Sequence, residues 1–293
     1  MDRTIGNPLS WTARQFVRGS THMAATTAEI GGRADAAPVG EDDLAELTLG
    51  DLRASLRLGF EDLMASRADA LFLCLLYPVL GLCLVVASLT HSLAPLIFPL
   101  LSGFVLVGPL AALGLYEMSR QRERGERISW GSAFDVLVSP AFGAILVLGL
   151  YLVGLLVVWL ISARMIYAAT MGPGAPDSLL AFLGDTLTTP EGWTMIVVGM
   201  GVGFLFAVAV LATAIVSFPL LLDRNVGVPN AVVTSVRVTA RNPKIVLTWG
   251  LIVAVGLFLG ALPALVGLAI VLPVLGHASW HLYRRAVRPA PAA

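Results

Sequence analysis

Charge is scarce in this sequence. Asp, Glu, Lys and Arg make up 13% of its 293 residues, against about 25% in an ordinary soluble domain. Metal-ligating side chains are scarcer still, with four histidines and two cysteines. His22 sits near the N-terminus and His91 in a short connection, so too few histidines remain within apolar segments for a haem–copper centre. Cys74 and Cys83 share one apolar run. On a single helix they would stand about 13 Å apart, beyond the reach of a disulfide. The sequence has no HExxH, no GxSxG, no phosphate-binding Gly-rich loop, and no evident Ser-His-Asp set or catalytic acid pair. These gaps point away from an enzyme, and they imply no catalytic residue, no metal and no cofactor.

What is abundant is apolar sequence, 57% of the chain. It comes in long runs rather than in alternation, so lipid is the solvent for most of the protein. Six membrane spans are expected: Ala70–Leu89, Leu93–Tyr116, Ala141–Ala163, Trp193–Leu222, Ile245–Leu262 and Ala264–Tyr283. The last two come from one apolar stretch, Ile245 to Ser279, which is too long for a single crossing of a roughly 30 Å hydrocarbon core. Gly260-Ala261-Leu262-Pro263 marks a turn near its middle.

Net charge is zero, yet the charges are sorted. Of the 19 Lys and Arg residues, all but Arg164 fall before the first span, after the even-numbered spans, or in the tails. Cationic connections stay cytoplasmic. The expected location is therefore the cell inner membrane, multi-pass, with both termini cytoplasmic. Residues 1–47 lack sustained periodicity and an apolar core long enough for a signal peptide. They read as a disordered cytoplasmic tail. Residues 48–286 form the six-span domain, and 287–293 a short cytoplasmic tail.

Each odd-numbered span is preceded by a short amphipathic segment. In the first, Leu49, Leu52, Leu56, Phe60 and Leu63 recur at helical spacing, with Thr48 as cap and Asp51 in the first turn. Trp130, Phe134 and Leu137 repeat the pattern after Ser129, and Val232, Val236 and Ala240 repeat it after Pro229. Arg237 and Arg241 share the polar side of the third segment. The even-numbered spans each carry a proline towards the cytoplasmic end: Pro109, Pro219 and Pro273. The fold class is thus all-α and integral to the membrane, with six spans and three surface helices. The pattern suggests a threefold internal repeat, 48–122, 126–224 and 226–286, against the plainer alternative of unrelated hairpins that each follow a basic loop.

Three stretches carry a resemblance: "LRASLRLGFEDLMASRADALFLCLLYPVLGL", "PLLSGFVLVGPLAALGLYEMSRQRERGERISWGSAFDVLVSP" and "LPVLGHASWHLYRR". The chain resembles, over about 48–286, a family of predicted bacterial integral membrane proteins known as domain of unknown function 2189. That resemblance implies six spans in an inner membrane and supplies no activity.

A few polar residues stand out. His277 and His281 lie four apart on one helix, a spacing that suits a metal only with further ligands. Trp280, Tyr283, Arg284 and Arg285 around them suggest instead a helix leaving the membrane through an aromatic belt. Glu117 is placed to pair with Arg120 at the same interface. Asp135 reads as solvated or facing Arg127. Arg164, the odd cation on the outer side, reads as an anchor or as the partner of Asp177, Asp185 or Glu191, with a substrate contact as the alternative. Pro109, Pro219 and Pro273 are expected to kink their spans. The mixed-sign run Arg120–Arg127 makes a poor nucleic-acid patch. Partners are then the lipid bilayer and an unidentified membrane protein, with oligomeric state left open. A non-catalytic protein that organises or assists a membrane partner or the bilayer is the first expectation. A transporter or channel for an apolar or lipid-like molecule is the second, and a membrane enzyme the third.

Overall fold

The computed structural model describes residues 39–65 and 94–288, except positions 127, 129, 175, 177, 225 and 264, together with the isolated positions 31, 79, 82, 83 and 86. The expected tail, apart from its last residues, and nearly all of the first expected span lie outside the described residues.

Among the described residues the chain is all-helical. The helices are α1 (Leu49–Ala65), α2 (Ile97–Leu106), α3 (Gly108–Ala111), α4 (Leu113–Glu123), α5 (Phe142–Thr170), α6 (Leu179–Thr188), α7 (Pro190–Ala214), α8 (Ser217–Arg224), α9 (Val228–Arg241), α10 (Pro243–Ala261) and α11 (Leu268–Ala286). A 3-10 helix covers Trp130–Val138. Three helical runs are long and apolar enough to cross a membrane: Phe142–Thr170, Pro190–Arg224 and Pro243–Ala261. The six expected crossings are therefore not all matched by continuous helices. The second is divided among α2, α3 and α4, with breaks at Val107, beside Gly108-Pro109, and at Ala112. The sixth, α11, is apolar only in its first half.

The three prolines act differently from one another. The helix breaks at Val107, just before Pro109, and again between α7 and α8, just before Pro219. Pro273 sits inside an unbroken α11. The turn at Gly260–Pro263 appears where expected, with α10 ending at Ala261 and Leu265 taking a φ of 68°.

The long helices bury one stripe and expose the rest. On α5, Ile145, Leu148, Leu152, Trp159 and Ala163 face inward, while Leu146, Leu150, Val157 and Ile161 face outward. An exposed aliphatic surface of this extent is what lipid, not water, accommodates.

The amphipathic segments divide their apolar residues between the protein interior and the outside. In α1 the buried stripe is Leu52, Ser55, Gly59, Asp62 and Leu63, while Leu49 and Phe60 point outward. In α9 it is Ala231, Thr234, Ser235 and Val238, leaving Val233 and Val236 exposed. The second segment is a 3-10 helix that buries Ser132 and Val136 and exposes Phe134 and Leu137. Small residues face the protein because they allow close helix approach, which gains packing where no water is displaced. One such approach is between α1 and α11, where a Cβ on Gly59 would lie 2.6 Å from both the Ala278 nitrogen and the Val274 oxygen.

These segments pack in a regular order. The 3-10 helix lies on α4, α9 on α8, and α1 on α11. The first two pairs are neighbours in sequence, whereas the third joins the two ends of the chain. The same ends are stitched through the backbone. Ala45 N donates to Ala286 O at 3.0 Å, Arg288 N donates to Asp43 O at 2.9 Å, and Leu44 bridges Val287. Buried Asn242 holds the strap from the side, accepting from Leu47 N at 2.7 Å and donating to Ala45 O at 3.1 Å. Thr48 and Asp51 cap α1 reciprocally, at 2.9 and 3.3 Å.

Gly59→Val should lower stability in detergent by about 1–3 kcal/mol, since backbone atoms of α11 cannot yield to a side chain. Gly154→Ala, where a Cβ meets nothing within 4 Å, should be neutral or stabilising by up to about 1 kcal/mol. Thermal unfolding of the two variants beside the parent protein checks both.

Candidate functional site

The polar side chains of α1, α4 and α11 converge on one buried carboxylate. Asp62 is 5% exposed. Ser119 Oγ donates to its Oδ2 at 2.5 Å, and His281 Nε2 donates to the same oxygen at 2.9 Å. Arg122 pairs with Oδ1. His277, 1% exposed, places Nδ1 2.8 Å from Ser119 Oγ and 3.9 Å from Asp62 Oδ2. A carboxylate only accepts, so the Ser119 proton lies towards Asp62 and His277 Nδ1 supplies the next one. Burial pushes the Asp62 carboxyl up, but the hydrogen bonds from His281 and Ser119 and the nearby positive charge outweigh it, so its pKa falls below the usual carboxylate value.

The helix geometry explains the convergence. His277 and His281 lie on one face of α11, one turn apart. Gly59 lets α1 come close enough for Asp62, three residues on, to reach that face. Ser119 and Arg122 occupy the matching positions on α4.

Around this centre the exits of α4, α8 and α11 are tied together. Buried Glu117 pairs with Arg120 at 2.8 Å, as the spacing suggested, and also accepts from Gln121 at 3.0 Å. Gln121 contacts Asp135 at 2.8 Å; Arg127, the expected partner of Asp135, lies outside the described residues. Arg120 further donates to Leu222 O at 2.9 Å. Arg284 bridges Glu123 at 2.9 Å and Asp223 at 3.2 Å. Burial works against its charge, but the two carboxylates raise its pKa overall. Tyr283 donates to Asp223 at 2.6 Å and Trp280 to Glu123 at 3.1 Å.

This corrects the reading of α11 as a helix end in an aromatic belt. Trp280 and Tyr283 are 0% and 1% exposed, packed ring to ring at 5.5 Å inside the protein. His277 is a core residue. No group of three or more His, Cys, Asp or Glu among the described residues is placed to hold a metal ion. Ser119, His277 and Asp62 do form a contiguous set, but in the wrong order for a nucleophile. A catalytic histidine stands between serine and aspartate, whereas here the buried serine stands between the other two.

Arg164 lies elsewhere, near the C-terminal end of α5. It donates to Pro173 O at 3.0 Å and sits 5.3 Å from the Tyr167 ring centre. Both contacts are to its own helix and the loop that follows. Asp177, one expected partner, lies outside the described residues. The prolines Pro109 and Pro219 share no common site with these polar groups, although Pro109 lines a cavity of about 190 Å³ with Tyr116, Leu211, Trp249 and Leu275. That cavity lies among α3, α4, α7, α10 and α11 and is almost wholly apolar.

Sequence reasoning missed Asp62, Ser119, Arg122, Glu123 and Asp223. One signal existed: Ser55, Gly59 and Asp62 recur at helical spacing on the small-residue face of α1, where a carboxylate needs a buried partner.

Residues 97–223 match the family of predicted integral membrane proteins DUF2189. The match runs from the start of α2 into α8 and is narrower than the 48–286 suggested by the resemblance. α1 and α11, which supply Asp62 and both histidines, fall outside it. No curated protein and no solved structure matches the chain.

Asp62→Asn should destabilise the protein by about 1–3 kcal/mol at pH 7, because Ser119 and His281 lose the charged acceptor they share. The contribution of Asp62 is complete above its unfolded pKa of about 3.9. It is lost as pH falls through the lower folded value, so the gap between parent and variant should narrow in acid. Thermal unfolding in detergent at pH 7 and near pH 3 measures both.

Proposed function

We propose that this chain is a non-catalytic polytopic protein of the inner membrane. It crosses six times with both termini cytoplasmic, and it organises or assists a membrane partner or the bilayer. The observation that carries the reading is the outward turn of the amphipathic helices. α1 and α9 present Leu49, Phe60, Val233 and Val236 beside exposed Arg53, Arg57, Arg237 and Arg241. Aliphatic side chains rimmed by arginine suit the boundary between acyl chains and anionic headgroups.

The pairing of residues 43–45 with 286–288 supports the crossing count. Two hydrogen-bonded segments share one side of a membrane, so an even number of crossings lies between them. The cyclic order of packing, with each amphipathic segment on the exit helix of the unit before it, supports three units arranged in a ring. α1 on α11 is the contact that closes the ring.

A second reading, a transporter or channel for an apolar or lipid-like molecule, draws on the apolar cavity of about 190 Å³ beside Pro109. Its lining suits no ion or polar solute.

Native mass spectrometry from mild detergent tests the first reading. The parent protein should retain phosphatidylglycerol in preference to phosphatidylcholine. Replacing Arg53, Arg57, Arg237 and Arg241 by alanine should abolish that preference, at about 1 kcal/mol per basic residue. Equal retention of both lipids by the parent would overturn the headgroup role. Reaction of Arg288→Cys with an impermeant maleimide on intact cells would overturn the topology.

A further inference from the structure

Asp177, Asp185 and Glu191 give the connection from α5 to α7 the composition of an acidic outer loop. Most of its described residues are instead helical, forming α6. Ser178 caps α6 by accepting from Ala181 N at 3.1 Å, and Thr189 caps α7 by accepting from Gly192 N at 3.1 Å. Thr189 alone separates the two helices. Gly192 lets α6 fold back on α7, since a Cβ there would stand 2.4 Å from Thr186 O.

α6 has three faces. Phe182 and Thr186 turn towards the protein: the Phe182 ring lies 6.1 Å from that of Tyr167, and Thr186 is buried. About a third of a turn on, Leu180, Leu183 and Leu187 form a stripe, 83%, 47% and 59% exposed. A further third of a turn on, roughly, lie exposed Ala181, Asp185 and Thr188. A helix with a protein side, an aliphatic side and a polar side suits the line where protein, acyl chains and water meet.

The depth of α6 agrees. Counted from Phe142, α5 has run about 30 Å by residue 161, the thickness of a hydrocarbon core. The first cation beyond is Arg164, over the Tyr167 ring at 5.3 Å. Exposed Trp193 donates from Nε1 to Leu187 O at 3.1 Å. A cation and aromatic rings at one level mark the headgroup boundary. The leucine stripe is also continuous with the outer surface of α7. After Trp193 come Val197, Met200 and Phe204 at helical spacing, all exposed, on a run long enough to cross a membrane.

We propose that α6 docks into the bilayer, with Leu180, Leu183 and Leu187 among the acyl chains of the leaflet remote from Asp62 and with Asp185 in water. α6 carries no Lys or Arg. Unlike α1 and α9, it therefore engages the membrane through aliphatic side chains and not through headgroup charge. The inference rests on the reading of α5 and α7 as membrane-crossing, and it is independent of the headgroup role given to α1 and α9.

The test is fluorescence quenching of the full chain in phosphatidylcholine nanodiscs. In a Cys74→Ser, Cys83→Ser background, bimane is attached through Leu183→Cys, Leu187→Cys, Asp185→Cys or Val197→Cys. All four side chains are exposed, and an unchanged thermal transition verifies that each labelled variant is folded. A lipid with a nitroxide high on its acyl chain should quench the probe at Leu183→Cys and Leu187→Cys about twofold or more above its effect at Asp185→Cys, and aqueous iodide should give the reverse order. Val197→Cys reports the crossing of α7. Equal iodide quenching at Leu183→Cys, Leu187→Cys and Asp185→Cys, with Val197→Cys reached by the nitroxide lipid, would overturn the docking and leave the crossing intact. Shielding of Leu183→Cys and Leu187→Cys from both quenchers would mean that protein covers the stripe, and would overturn the choice of lipid. Iodide quenching of Val197→Cys would overturn the crossing and the docking together.

Discussion

A carboxylate withdrawn from water has to be answered by donors, and in this protein the donors come from two other helices. Asp62 on α1 is held by Ser119 and Arg122 from α4 and by His281 from α11. Each contact alone is modest. Together they fix the angle and register of three helices, because the carboxylate leaves few arrangements in which both of its oxygens are satisfied. The seating of Gly59 against the α11 backbone, the burial of Trp280 and Tyr283, and the strap that joins residues 43–45 to 286–288 all presuppose that register.

The long apolar helices α5, α7 and α10 were plain in the sequence because aliphatic runs bounded by Gly, Pro and charge have few other uses. The turn at Gly260–Pro263 was equally plain. What the pattern concealed was which way the amphipathic helices face. Helical spacing alone leaves two seatings open for the apolar face of α1, in lipid or against the bundle, and the helix uses both, with Leu52 and Leu63 buried and Leu49 and Phe60 exposed. In lipid the aliphatic stripe has no need to hide, and the face that gains by packing is the one with Ser55 and Gly59.

The polar centre was harder to see for a different reason. His281 and Asp62 are 219 residues apart, and no local spacing announces a pair that only the closed bundle creates. Seen alone, His277 and His281 invite a metal reading or an interfacial one. Each is a fair inference from a helix without its neighbours. Glu117 with Arg120 was legible because both ends of the pair lie within one turn. Asp223, which binds Tyr283 and Arg284, was not, since its partners lie a full hairpin further on.

The strap between residues 43–45 and 286–288 also orders events during synthesis. α1 leaves the ribosome well before the surface it sits on is made. Until α11 has emerged, the Asp62 carboxylate lacks one of its three donors, His281, and Gly59 has nothing to lie against. The early helices must therefore wait in the bilayer without their closing piece, a long-range dependence of the kind that slows folding. A chain that lacked α11 would leave its first amphipathic helix without a seat and the Asp62 carboxylate one donor short.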